Sequence, residues 1–186
     1  MFLDAKNNMF VFNFSPDFIP DVVNKQYDDY LNNVPGSMIV KPIDYLNYGI
    51  QSISLPGLSY SPVEQGRLYG EKDLYRTSIG SRELYAKQMT VNMKLMRGFV
   101  NYWMFYDIYK YYYSFQVKQL FIPNQRLEIL DSFGNVFTYI HFNRILFTDI
   151  SELELNFTTN NPSFNTFNIT LQYNEMEVIR KFDAKY

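Results

Sequence analysis

His141 is the one histidine in the 186 residues, and there is no cysteine. In "YIHFN" the histidine lies on the face of an alternating strand opposite Ile140 and Phe142. A Ser-His-Asp site needs a histidine held by a carboxylate and in touch with a nucleophile. Nothing beside His141 supplies either, so it reads as an ordinary strand residue. Glu152 and Glu154 in "SELEL" form the nearest approach to a paired-carboxylate site. Two positions apart on a strand, they would share one sheet face, as acid–base chemistry requires. The plainer reading is the wet face of an amphipathic strand. Gly66 and Gly70 flank "RLY" without the Lys-Ser/Thr pair and opening helix of a phosphate loop. No EF-hand pattern occurs, and the missing cysteines exclude disulfides and thiolate metal sites. The sequence therefore points away from an enzyme and calls for no metal or cofactor.

Net charge is -2, with no clustered Lys/Arg to grip nucleic acid. No apolar run approaches the roughly 20 residues that cross a membrane. The start "MFLDAKNNMF" lacks the basic and apolar regions of a secretion signal, so synthesis in the cytoplasm and no membrane partner are expected. The two sequons, Asn156-Phe157-Thr158 and Asn168-Ile169-Thr170, fall in strands and read as chance. Aromatic content is 19%, from 17 Phe, 17 Tyr and one Trp. Such side chains favour strands and interface cores.

Hydrophobic periodicity sets out the elements. "MFVFNF" is a strand, and "SPDFIPD" stops it with two prolines. A short helix is expected at about 22–31 and a turn or two of helix after Pro42. "IQSISLPG" is a strand ended by Pro-Gly. From Ala86 to Met96, Met89, Val91, Met93 and Leu95 alternate with polar residues, the clearest strand of the first half. The period then changes to that of a helix over about 99–113, with Val100, Trp103, Met104, Ile108, Tyr111 and Tyr112 as the expected core face. "RLEIL-DSFGN-VFTYIHF" reads as a hairpin, followed by separate strands "ILFTDI" and "LELNF" with a bend near Asp149 to Glu152. Strict alternation of Phe167, Ile169, Leu171 and Tyr173 marks a half-solvated antiparallel strand. The expected fold is α+β, mainly antiparallel: a small barrel or sandwich with one packed helix and a protruding hairpin over about 58–84. Residues 1–48 form an N-terminal strand and extension, 49–182 the β domain and 183–186 a polar tail.

The arm between two good strands has no apolar block to hold it up. Ordering it costs roughly 1–2 kcal/mol per residue in backbone entropy. Yet Tyr60, Leu68, Tyr69, Leu74 and Tyr75, interleaved with Arg67, Lys72, Asp73 and Arg76, are unlike a disordered tract. Tyr and Arg are hot-spot residues. These nine positions are the expected subunit interface, docking on another copy of the chain.

Three ordered features carry a family resemblance. "SISLPGLSYSPVEQGRLYG" ends a strand at Leu-Pro-Gly and sends out an arm. "AKQMTVNMKLM" leads into "FVNYW". "RILFTDISELELNFTTNNPSFNTFNITLQYNEMEV" supplies closing strands. Over roughly Gln51 to Val178 the chain resembles the tail tube proteins of contractile-tailed phages and related injection systems. The resemblance implies a structural virion protein whose hexameric rings stack into, or cap, a hollow tail tube that DNA passes through without specific binding. Its partners would be other copies of itself and other tail or baseplate proteins, with assembly into a virion tail. Glu152, Glu154 and the polar set Asn168, Thr170 and Gln172 are candidates for the lumen. The longer region before Tyr48 and the tyrosine-rich helix depart from the family and suggest a specialised initiator, terminator or baseplate-adaptor ring. A β-sandwich that decorates a capsid or binds a glycan is the other reading.

Overall fold

The computed structural model describes residues 9–33, 41–55, 57, 63–66, 74–77, 87–114, 121–153 and 165–181, with backbone only for 63–66 and 74–77. Strand β1 (Phe10–Asn13) leads through a 3-10 turn at Pro16–Phe18 into helix α1 (Asp21–Asn32). Helix α2 (Pro42–Tyr48), with Pro42 in its first turn, is followed by β2 (Ile50–Ser54). Strands β3 (Val63–Gly66) and β4 (Leu74–Thr77) come next, then β5 (Gln88–Lys94) and helix α3 (Val100–Tyr112). Strands β6 (Gln125–Leu130), β7 (Val136–Ile150) and β8 (Thr166–Arg180) complete the described chain.

All six long-range strands join one antiparallel sheet in the order β1-β6-β7-β8-β5-β2. The sheet curls towards closure. At one end the side-chain Oδ1 of Asn47, in α2, accepts a hydrogen bond from Phe14 N at 2.8 Å, drawing the two edge strands together. Beside it, buried Gln125 accepts from Ser15 N at 2.9 Å. Both side chains satisfy backbone donors where the chain leaves β1, donors that burial would otherwise leave unpaired.

The core lies inside this curl and is capped by α3 and α1. Met89, Val91 and Met93 from β5 and Phe167, Ile169, Leu171 and Tyr173 from β8 point inward, as their alternation requires. Phe14, Phe18, Phe105, Phe147 and Phe167 make edge-to-face and stacked contacts with ring centroids 4.6–6.5 Å apart. Each such fully buried side chain contributes roughly 1.5–3 kcal/mol, so this aromatic cluster is what fixes α3 to the sheet.

The short helices expected at about 22–31 and after Pro42 are α1 and α2, which add Val23, Tyr27, Leu31 and Leu46 to the buried set beside α3. The structure corrects the reading at three places. The face of α3 is rotated. Val100, Met104, Ile108 and Tyr112 are buried as expected, but Asn101 and Phe105 join them, while Trp103 is 47% exposed and Tyr111 only partly buried. Phenylalanine, with no polar tip, takes the dry side, and the amphipathic indole and Tyr106 take the wet one. "VFTYIHF" and "ILFTDI" are a single strand, β7. It bends at Arg144, whose φ is 52°. Phe142 and Ile145 are both buried although three positions apart, and so are Tyr173 and, in part, Met176 opposite them. Both strands lose one step of alternation there, which turns a flat pair into a barrel corner. Finally, Glu152 does not lie on a strand. It follows β7 in irregular, exposed chain, because β7 stops at Ile150 after a bulge between Phe147 and Asp149.

Two tight features complete the frame. Gly98 (φ 70°) and Phe99 (φ 55°) turn the chain from β5 into α3. Asn101 stitches this turn: its Oδ1 accepts from Met96 N at 3.1 Å and its Nδ2 donates to Lys94 O at 2.6 Å. Between β6 and β7, Asp131 accepts from Phe133 N and Asn135 N at 2.8 and 2.9 Å. Those backbone donors, Asn135's first, hold its carboxyl below the usual range.

Candidate assembly surfaces

His141 stacks on Tyr139 with ring centroids 6.4 Å apart, and its cross-strand neighbours are Arg126 and Glu177, neither of them a hydroxyl or thiol of the kind a Ser-His-Asp site needs. Arg126 lies over the Tyr139 ring at 5.6 Å and pairs with Glu128 at 2.6 Å. Glu152 is exposed, and Glu154 lies outside the described residues, as do the lumen candidates' neighbours at 154–164. Among the described residues no group of three or more His, Asp or Glu is placed to hold a metal ion. No described helix is long and apolar enough to cross a membrane.

The arm is a hairpin in its described part. β3 and β4 pair only with each other, with Glu64 opposite Arg76, Gln65 opposite Tyr75 and Gly66 opposite Leu74. Of the expected interface residues, Leu74, Tyr75 and Arg76 are on β4. Tyr60, Arg67, Leu68, Tyr69, Lys72 and Asp73 lie outside the described residues.

The helical side of the molecule carries an aromatic surface, one member of which, Trp103, was expected in the core. Tyr30 on α1 and Trp103 and Tyr106 on α3 are 49%, 47% and 41% exposed. The Trp103 ring meets Tyr102 and Tyr106 edge-on at 5.4 and 6.0 Å. Trp103 and Tyr30 border a groove of about 360 Å³ with Gln26, Tyr27, Gly98 and Val100. At its floor Tyr27 donates its hydroxyl hydrogen to Asp107 at 2.6 Å. Burial, and then this carboxylate, drive the Tyr27 pKa far up. Tyr112 is pushed up to about 12, chiefly by burial. Burial likewise raises Tyr113, whose hydroxyl donates to Phe147 O. The signal for this surface was present in the sequence as a Tyr/Trp stripe, but periodicity alone does not say which stripe is dry.

The opposite side is the outer face of the sheet. Register fixes which side chains share it. Ser52 lies beside Asn92, and Asn92 beside Asn168; Ser54 lies beside Thr90, and Thr90 beside Thr170; Gln88 lies beside Gln172. Lys94 and Thr166 end the array. Asn92 Nδ2 donates to Asn168 Oδ1 at 2.7 Å, Thr148 Oγ1 donates to Thr170 O at 3.1 Å, and Ser151 Oγ accepts from Asn168 N at 2.9 Å. Of the lumen candidates, Asn168, Thr170 and Gln172 thus stand together on one face.

With this architecture in view, the solved structures can be compared. A chain of the anti-feeding prophage baseplate, in a six-fold symmetrised cryo-EM structure, superposes with a TM-score of 0.52 at 12% identity, over 97% of this chain and 98% of that one. The chain has the fold of a contractile injection system component. At this identity the likeness concerns the fold, and it is the tail-related fold to which the Leu-Pro-Gly arm, the strand-to-helix junction and the closing strands had pointed. Two further chains bearing the injection-system fold match less well. One is in the anti-feeding prophage tube-terminating cap (TM-score 0.48, 14% identity, 70% of this chain and 80% of that one). The other is in the extended sheath–tube complex of the PVC extracellular contractile injection system (0.44, 14%, 70% and 80%). Likenesses at that level carry no argument. No protein-family model and no curated protein matches the chain.

Proposed function

We propose that this protein is a non-enzymatic structural component of a contractile tail or injection particle, in which six copies close into a ring that stacks on, or caps, a hollow tube conducting DNA. The observation that carries the reading is the end-to-end likeness to a chain of a six-fold symmetrised baseplate, which takes in β1, α1 and α2 as well as the sheet. Within that class, the likeness favours an adaptor ring at the baseplate over a repeating ring of the tube. Its partners are then its own copies and the neighbouring baseplate or tail proteins, and it resides in the assembled particle.

The fold suits such a role. The sheet ends in two edge strands, β1 and β2, and an edge left unpaired invites strand addition. A head-to-tail contact between two different patches makes a closed ring when its rotation closes. The β3–β4 hairpin supplies a second, projecting contact. Native mass spectrometry and electron microscopy of the full chain test this. A ring-shaped hexamer is expected. A monomer persisting at high concentration, alone and with tube or baseplate proteins, would refute it.

A further inference from the structure

Phe133 is the most exposed large apolar side chain among the described residues, at 81%. It stands at the tip of the β6–β7 hairpin, and its turn is tied from within. Asp131 N donates to Asn135 O at 2.8 Å, and Gly134 N donates to Asp131 O at 3.0 Å. The Asp131 carboxylate also takes the N–H groups of Phe133 and Asn135, and Gly134 adopts the positive φ of 82° that the turn needs. A lone apolar side chain on a surface needs no explanation. A benzyl group held out by a turn so bonded is different, because docking it orders little further backbone. The groove between α1 and α3 is its complement. Trp103, Tyr30, Tyr27 and Val100 line about 360 Å³ there, an aromatic slot with room for one ring to pack edge-on or offset. The signs of charge also match. Asp131 is carried beside the Phe133 ring, and exposed Arg97 precedes the groove residue Gly98 in the chain. The acid beneath the groove, Asp107, is already engaged by the Tyr27 hydroxyl.

We infer that Phe133 of one copy seats in the Trp103–Tyr30 groove of the next copy, as a knob that helps to close the ring; the inference rests on the ring reading above. Within one chain the two cannot meet. The knob lies beyond the end of the β7–β8 pair where Thr138 is opposite Arg180. Gly98 and α3 follow from the other end, where Lys94 is opposite Thr166 and Tyr102 packs on Phe167. β8 runs unbroken between these ends for 15 residues, roughly 45 Å if straight at about 3.3 Å per residue. Knob and groove also belong to opposite halves of the sheet. The knob joins β6 to β7 on the side of edge strand β1, and the groove follows β5 on the side of edge strand β2. Copies brought together β1 edge to β2 edge therefore bring knob side to groove side, and the contact continues the one proposed for the edges. Two different patches on one chain make a head-to-tail contact, which repeats round a ring when its rotation closes. Trp, Tyr and Arg, the types found here at Trp103, Tyr30 and Arg97, are those richest in interface hot spots, and the Asp131–Arg97 pairing would fix the register.

A double-mutant cycle on assembly tests it. Full-length protein, Phe133→Ser, Trp103→Ala and the double variant are diluted in series, and native mass spectrometry reads the concentration at which half the chains are in hexamers. Each single change is expected to raise that concentration at least about tenfold. The double variant is expected to fall within about threefold of the weaker-assembling single one, because residues in contact lose one shared interaction. The melting temperature of the Phe133→Ser monomer is expected to match the parent's, since the ring is exposed there. Unchanged assembly of Phe133→Ser, or losses that multiply in full in the double variant, would overturn the knob while leaving the ring standing. Wild-type protein that forms no hexamer overturns the ring reading and the knob with it. Should Trp103→Ala fail to fold, Tyr30→Ser, on the same groove, takes its place in the cycle.

Discussion

Asn101 is the most informative residue to change. It is fully buried at the start of α3, and it ties that helix to the backbone of the β5 exit through two hydrogen bonds. Replacing it with alanine removes the acceptor for Met96 N and the donor to Lys94 O. Each buried group left without a partner costs about 1–3 kcal/mol, so the pair amounts to about 2–4 kcal/mol after partial rehydration. In a chain of this size that lowers Tm by roughly 5–15 °C. Urea unfolding followed through Trp103, the one tryptophan and a residue of the same helix, measures it directly. Asn101→Asp adds a second reading. The carboxylate keeps an acceptor for Met96 N but faces the Lys94 carbonyl without a proton to donate. Its folded pKa is therefore raised above the unfolded value of about 3.9, so the variant is most stable below that value and loses stability as pH rises. A loss smaller than about 0.5 kcal/mol for Asn101→Ala, with an unchanged denaturant slope, would show that the turn does not depend on this amide.

Phe105→Ala should cost about 3–5 kcal/mol, because it opens the centre of the aromatic cluster, whereas Trp103→Ala should cost about 1 kcal/mol or less; equal losses in paired melts would contradict the observed rotation of α3. The tyrosines make the fold sensitive to alkali. Tyr27 and Tyr112 have folded pKa values above the unfolded value of about 10. Their contribution is therefore fully present below about pH 10 and lost as pH climbs through about 12. Melts between pH 9 and 12 should fall steeply, and less so in Tyr27→Phe; identical slopes would remove Tyr27 from the account. Replacing residues 64–76 with a short Gly-Ser linker should leave the melting temperature near that of the parent and abolish assembly, and rings seen by microscopy in this variant would refute a docking role for the arm.

Periodicity was a good guide where one face of an element is dry and the other wet. β5, expected over 86–96, spans Gln88–Lys94, and α3, expected over about 99–113, spans Val100–Tyr112. The β3–β4 hairpin falls inside the expected arm. The method failed where both stripes of a helix are aromatic. On α3, Val100, Met104 and Ile108 suit either rotation, and only the contact of Phe105 with Phe14 and Phe147 decides between them. It failed again at Arg144, since a corner that drops one step of alternation looks in sequence like a gap between two strands. For the candidate surfaces, the polarity of Asn168, Thr170 and Gln172 was legible along β8. That Ser52 and Asn92 extend the same array was not, because cross-strand register joins residues far apart in sequence.

The order in which the strands are made differs sharply from the order in which they sit. Phe10 meets Ile129, and β5 finds its second neighbour only in β8. During translation the first strand must therefore wait, bare-edged, until β6 leaves the ribosome, and the centre of the sheet stays vacant until nearly the last strand is made. Such late, distant pairing slows folding and exposes sticky edges to neighbours on the same polysome. Yield of native protein should then depend on temperature and chaperone supply during expression far more than its finished stability suggests.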